Sequence, residues 1–170
     1  GSIAFADPAA ELPACIVTLQ ANLIAQGNKG ERKIPATEFF RGLYETALTS
    51  DEILIAIELP IAADDRKFAF KELARRHGDY AMIGVCACTE WSERSLSETR
   101  LVYFNAGDQP VVAEKTASAL KGVLSAENLE SALKNLAEDL DPPSDLNANS
   151  SMRLHLARVL TQRIFQEWMS

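Results

Sequence analysis

Near the start of the chain two carboxylates, Asp7 and Glu11, flank Pro8. An aspartate followed by proline is a helix start. The carboxylate can accept from free backbone N–H groups, and proline at the first helical position loses no bond it needed. Both acids then sit within about one turn of a positive helix end. The plain reading of the pair is a capped helix. Elsewhere the usual catalytic constellations are missing. The chain has two histidines, His77 and His155, and no nucleophile motif beside either, so no Ser-His-Asp or Cys-His site is written in it. His77 falls in a charged bend and reads as solvated. His155 lies on a helix among leucines and reads as a satisfied structural histidine. Cys86 and Cys88, at period two, point to the same face of a strand and lack the Cys-x-x-Cys turn of zinc or redox sites, so they read as packing. No Gly-x-Gly-x-x-Gly or Gly-Lys-Ser phosphate loop occurs.

The elements that must position these residues follow from periodicity. Residues 8 to 21 predict a helix with Leu12, Cys15, Ile16 and Leu19 on one face. Residues 22–26 and 31–34 predict a hairpin about the turn Gly27-Asn28-Lys29-Gly30. Thr37 can cap a short helical turn that carries Phe39 and Phe40 into the core. Ile53, Ile55, Ile57 and Leu59 alternate with Leu54, Ala56 and Glu58, giving a strand with one strongly apolar face, ended by Pro60. Residues 61 to 67 are the best place for a domain boundary. Strands are predicted over 67–74, 82–91 and 99–105, with a charged bend at 75–79 and a polar hairpin at 92–98. Three helices follow: 111 to 122, one from Ser125 that buries Leu129, Leu133 and Leu136, and 151 to 168. They are interrupted by a stiff linker over 139–149. In the last helix Met152, Leu156, Val159, Ile164 and Trp168 make a core stripe. Three strands and then three helices mean an α+β unit, helices laid on one face of an antiparallel sheet.

A length of 170 residues suits one domain or two small ones. A net charge of −7 with scattered basic residues argues against a nucleic-acid partner, which needs a concentrated basic face. No apolar run is long enough for a membrane span. The three cysteines, Cys15, Cys86 and Cys88, are an odd count with no disulfide framework, so a reducing cytoplasm is expected.

Several stretches, in order, carry a resemblance. The segment Ala6-Asp7-Pro8-Ala9-Ala10-Glu11-Leu12-Pro13 is the first. Phe39-Phe40-Arg41-Gly42, with Thr46 and Leu48, follows. Then come the strand from Asp51 to Pro60, Phe68 to Lys71, and Arg75-Arg76-His77-Gly78-Asp79-Tyr80-Ala81. Together they resemble the C-terminal portion of the FAD-binding (medium) subunit of the molybdenum hydroxylase family, of the carbon monoxide dehydrogenase and xanthine dehydrogenase type. The fold this implies is α+β: a partial second FAD-binding subdomain over 1–62, then a three-stranded antiparallel sheet packed on three helices over 66–170.

The resemblance assigns roles residue by residue. Gly1 and Ser2 fall at the end of the turn whose N–H groups approach the flavin, although the same dipeptide is a common remnant of a cleaved expression tag. Glu11 falls where the family keeps an acid for the ribityl chain, a role a carboxylate suits because it accepts two hydroxyl hydrogens. Asp7 is a further candidate that capping also explains. Leu54 matches an aliphatic residue against the isoalloxazine ring, or is strand packing. Lys71 matches a lysine that stabilises the anionic reduced flavin, or is a solvent-facing lysine. Tyr80 matches an aromatic that covers the ring, or is a half-buried tyrosine at a strand start. On this reading Leu54, Lys71 and Tyr80 share one concavity. In the family, electrons pass from a molybdenum cofactor through iron–sulfur clusters, both in partner subunits, to FAD and on to an acceptor. The family's pyrophosphate loop has no counterpart in these 170 residues, so the chain alone is expected to bind FAD weakly or not at all. Two alternatives stand beside this: a non-catalytic interaction module that kept the scaffold and lost the flavin, and a flavin-binding stress or signalling domain.

Overall fold

The computed structural model describes residues 1–76, 78–92 and 95–170, so His77 lies outside the described residues. A short helix α1 (Ser2–Phe5) is followed by a turn and then α2 (Glu11–Thr18). The helix expected over 8–21 is therefore shorter, and Asp7 does not cap it. Asp7 Oδ1 accepts from the Ala9 N–H at 2.9 Å and closes a turn ahead of the helix; Ala10 occupies the N-cap without a side-chain bond. Pro13 explains the late start. In a helix begun at Pro8 it would lie in the interior and clash with the preceding turn. In one begun at Glu11 it sits in the first turn, where a missing N–H costs nothing. The buried side is Pro13, Ala14, Ile16, Val17 and Thr18, while Leu12 of the expected stripe is exposed.

Strands β1 (Asn22–Gly27) and β2 (Gly30–Pro35) make the expected hairpin, Gly27 opposite Gly30, with Gly30 at a left-handed φ of 106°. Helix α3 (Ala36–Phe39) starts one residue before Thr37, without a side-chain cap, and Phe39 and Phe40 are buried as expected. β3 (Phe40–Gly42) and β4 (Glu45–Thr46) form a small ribbon. β5 (Ile53–Glu58) pairs antiparallel with β1, in the order β2-β1-β5. Its apolar face looks outward: Ile53, Ile55 and Ile57 are exposed, and Leu54 packs beside the core instead.

Strands β6 (Arg66–Ala74), β7 (Ala81–Ser92) and β8 (Ser95–Phe104) form the expected three-stranded antiparallel sheet. Residues 95–98, expected in a hairpin loop, belong to β8; residues 93 and 94 lie outside the described residues. The helix expected over 111–122 contracts because Val111 and Val112 form β9 (Val111–Val112) against β8. What remains is α4 (Glu114–Ala119), followed by β10 (Gly122–Val123) on the same strand. α5 (Ala126–Ala132), capped by Ser125, runs through a 3-10 turn at Leu133–Asn135 into α6 (Leu136–Asp139), and Leu129, Leu133 and Leu136 are buried as the spacing predicts. The Asp139 carboxylate caps α4 from outside, accepting from the Lys115 and Thr116 N–H groups and from Thr116 Oγ1 at 3.0, 2.8 and 2.6 Å.

Residues 140–149 carry no helix. α7 (Ser150–Met169) is capped by Asn149 Oδ1, which accepts from the Met152 N–H at 2.8 Å. Its buried face is Arg153, Ala157, Leu160, Thr161, Ile164 and Phe165. The expected stripe is thus rotated: Ile164 is on the face, Met152 is exposed, and Leu156, Val159 and Trp168 are half-buried. Two polar residues face inward and disguise the true stripe, since Arg153 and Thr161 are both fully buried. Thr161 Oγ1 meets the Tyr103 hydroxyl at 2.5 Å and donates to Ala157 O at 2.8 Å. His155, expected to be structural, is exposed.

The sheet is a wall shared by two cores. One side, with Ile83, Val85, Leu101 and Tyr103, meets the helices α5 to α7. The other side, with Cys86, Val102 and Phe104, meets Ile16, Val17, Leu23 and Phe39 from the first half of the chain. Cys86 and Cys88 are both buried, in keeping with the packing role read from their spacing.

Candidate functional site

Asn105, the first residue beyond β8, clasps the site together. Its φ of 55° is left-handed, a conformation that asparagine tolerates better than most residues. Its N–H donates to Pro8 O and its side-chain amide to Ala81 O, both at 2.7 Å. Its own carbonyl accepts from Arg153 Nη1 at 2.9 Å. The turn before α2 is thereby fixed against the start of β7, and both against α7. Arg153 is fully buried and donates through Nη2 to Asp145 Oδ2 at 2.5 Å. The Ala148 N–H holds the Asp145 carboxyl below the usual carboxylate range. Burial works against this, and the Asn147 N–H and Arg153 add to it.

Two adjoining clefts open around the segment 78–81. The larger, about 540 Å³, is lined by Asp7, Tyr44, Arg75, Asp79, Tyr80, Asn105, Asp145 and Arg153, among others. The smaller, about 290 Å³, is lined by Ser2, Ala9, Ala10, Glu11, Leu12 and Tyr80 together with Gly78, Asp79 and Ala81. Tyr80 belongs to both and is 71% exposed. Of the residues singled out from the sequence, Ser2, Glu11 and Tyr80 therefore meet in one cleft and Asp7 lines its neighbour. Gly1 is the N-cap of α1, one residue before Ser2.

Leu54 and Lys71 line neither of these two clefts, so neither cleft unites them with Tyr80 as expected. Strand alternation is the reason. Lys71 shares the helix-facing side of β6 with Lys67 and Ala69, and its ammonium pairs with Glu167 of α7 at 2.8 Å. Leu54 is the residue of β5 that turns toward the core.

The chemistry this arrangement suits is binding. The Glu11 carboxylate at the start of α2 can accept hydroxyl hydrogens, and the bare Tyr80 ring offers a face to a flat heterocycle. These fit the ribityl and ring portions of a flavin. A diphosphate is poorly matched to the larger cleft, where Asp7, Asp79 and Asp145 face two arginines that already have acceptors. Arg153 is held by Asp145, and Arg75 donates to Asn147 Oδ1 at 3.2 Å. Sequence reasoning missed Asn105, Arg153 and Asp145. A lone asparagine after an apolar strand was the available signal; an arginine in a helix reads as solvated until its burial is seen.

The α+β architecture is that of the flavoproteins of molybdopterin dehydrogenases. The chain belongs to the CO dehydrogenase flavoprotein family: residues 68–168 match the CO dehydrogenase flavoprotein C-terminal domain, and residues 1–62 match the FAD binding domain in molybdopterin dehydrogenase. The structure superposes on carbon monoxide dehydrogenase from Hydrogenophaga pseudoflava with a TM-score of 0.92 at 28% identity, over 96% of this chain and 57% of that one. Among curated relatives, the glyceraldehyde dehydrogenase medium chain of Sulfolobus acidocaldarius is 29% identical, over 98% of this chain and 59% of that protein. The caffeine dehydrogenase subunit beta of a Pseudomonas species is 32% identical, over 96% of this chain and 56% of that protein. The chain thus spans a little over half the length of these relatives. Among the described residues no helix is long and apolar enough to cross a membrane.

Proposed function

We propose that this chain is the flavin-facing part of the medium subunit of a molybdenum hydroxylase-like oxidoreductase of the cytoplasm. FAD, when bound, supplies the step between one-electron iron–sulfur clusters and a two-electron acceptor. We assign the iron–sulfur clusters and the molybdenum cofactor to partner subunits; the three cysteines of these 170 residues are too few for the four thiolates that hold a cluster. The observation that carries the reading is the convergence of Ser2, Glu11 and Tyr80 on one cleft. That cleft lies where the residues matched to the two family models meet. Glu11 and Ser2 receive the ribityl chain and Tyr80 covers one face of the ring; Gly1 directly precedes Ser2, and Asp7 lines the adjoining cleft. Leu54 and Lys71, which line neither cleft, are left out of this constellation. We also place the division between the two units at residues 61–67.

The test is flavin content in the assembled complex. With its partner subunits the chain is expected to carry FAD that bleaches on reduction, and Glu11→Ala is expected to weaken FAD binding roughly 10- to 100-fold. A complex free of flavin, or one whose FAD affinity ignores Glu11, overturns the reading. The 170 residues by themselves should yield a nearly colourless preparation, because the acidic cleft offers little to a diphosphate.

A further inference from the structure

Cys15 on α2 and Cys86 on β7 are separated by 71 positions in the sequence, yet their sulfurs stand 3.6 Å apart. They come from the residues matched to the two different family models, so their contact bridges the two parts of the chain. The two environments are unequal. Cys86 is buried in the core shared by the sheet and the first half, whereas Cys15 is half-buried at its edge. Either sulfur can donate in this contact; the Cys86 thiol, as donor, draws the Cys15 thiol below its usual range, although burial and the nearby Glu11 charge oppose this. The same contact, with burial, pushes the Cys86 thiol up. The more accessible sulfur is therefore also the readier to ionise, which makes Cys15 the attacking sulfur and Cys86 the resolving one.

We propose that Cys15 and Cys86 form an oxidisable dithiol that hydrogen peroxide converts to a disulfide, stapling α2 to the central sheet. The Cys15 thiolate attacks one peroxide oxygen, the O–O bond breaks, and Cys15 becomes a sulfenic acid. The departing hydroxide takes the Cys86 proton and leaves as water. The Cys86 thiolate then attacks the Cys15 sulfur, the S–O bond breaks, and the hydroxide released takes up the proton that Cys15 had given up. In sum two thiols lose two electrons and two protons, and one peroxide becomes two waters. A disulfide bond is about 2.05 Å long, so the sulfurs close by roughly 1.5 Å, a movement open to the half-buried Cys15 side chain. Glu11 lies one helical turn before Cys15, so the staple also steadies the residue that faces the smaller cleft.

The experiment treats the whole chain with graded hydrogen peroxide, blocks remaining thiols, and maps disulfides without reduction. Trypsin leaves Cys15 and Cys86 on separate peptides, and fragmentation tells Cys86 from Cys88. The expected result is a Cys15–Cys86 link that dithiothreitol releases, with a melting temperature raised by about 5–10 °C in the oxidised protein and not in Cys15→Ser. The peptide map of the unaltered protein decides the matter even where the variant fails to fold. Cys15 driven to sulfinic acid without a link, a link to Cys88 or to a second chain, or thiols that survive peroxide while free thiols in the same solution are consumed would each overturn the proposal.

Discussion

At the scale of single residues, the Arg32–Glu52 pair couples the fold to pH. Arg32 donates to Glu52 through Nε at 2.5 Å and through Nη2 at 2.8 Å, and the Thr49 N–H donates to the same carboxylate at 2.8 Å. Arg32 first, and then Thr49, lower the Glu52 carboxyl to about 2 from its ordinary 4.5. A carboxyl whose folded value is depressed binds fewer protons folded than unfolded. Its stabilisation is therefore complete above about pH 5 and is lost as the pH falls toward about 2. Urea unfolding of Glu52→Gln should accordingly show a deficit against the parent that is constant near neutrality and shrinks between about pH 4.5 and 2. A deficit that persists unchanged into that acid range would show that the carboxylate charge is not what Arg32 recognises. Arg32 is substantially exposed, so added salt should also narrow the deficit. At this same scale the site was half legible. Ser2, Glu11 and Tyr80 could be placed because their order in the chain resembles a known pattern. Asn105 and Arg153 could not, because a left-handed asparagine and a buried arginine announce themselves only through what they touch.

Among the elements, the seam between β7 and β8 depends on an absent side chain. Gly84 lies opposite Phe104 in the ladder, and a Cβ added at Gly84 would fall 1.9 Å from Phe104 Cζ. The Phe104 ring is fully buried and stacks on Phe70 at a centroid distance of 5.6 Å, so it has no free direction in which to tip. Gly84→Ala is expected to cost about 3 kcal/mol, the upper end for overpacking a core, read as a drop in the urea midpoint with an unchanged slope. A substitution that leaves the midpoint in place would mean that Phe104 has a second packed position. The elements themselves were largely readable, since strands were expected over 67–74, 82–91 and 99–105, where the three long strands form, and Ser125, Leu129, Leu133 and Leu136 marked α5 and its continuation. Three misreadings share one cause, a local pattern overruled by a neighbour. Pro13 delays α2, β8 captures Val111 and Val112 from the expected helix, and the inward Arg153 and Thr161 rotate the stripe of α7.

For the whole molecule the telling feature is an apolar surface that the described residues leave exposed. Ile53, Ile55 and Ile57 on β5 are exposed at 66%, 45% and 38%, and Leu59 and Ile61 continue the same apolar run. Alternation in the sequence could say that this face was apolar, but not whether the chain itself would cover it. β5 is also an end strand of its sheet, so among the described residues no strand pairs with its outer edge. Contiguous apolar area on a free strand edge is a template for self-pairing. The 170 residues studied alone should therefore self-associate, with a sedimentation coefficient that rises with concentration. Replacing both Ile53 and Ile55 with threonine keeps strand propensity while removing apolar area. It should return the chain to monomer and change the melting temperature little, since neither side chain is buried in the fold. If the double variant associates as strongly as the parent, the contact lies elsewhere. Phe68 and Phe70, both exposed on the neighbouring sheet's outer strand β6, are then the next surface to alter.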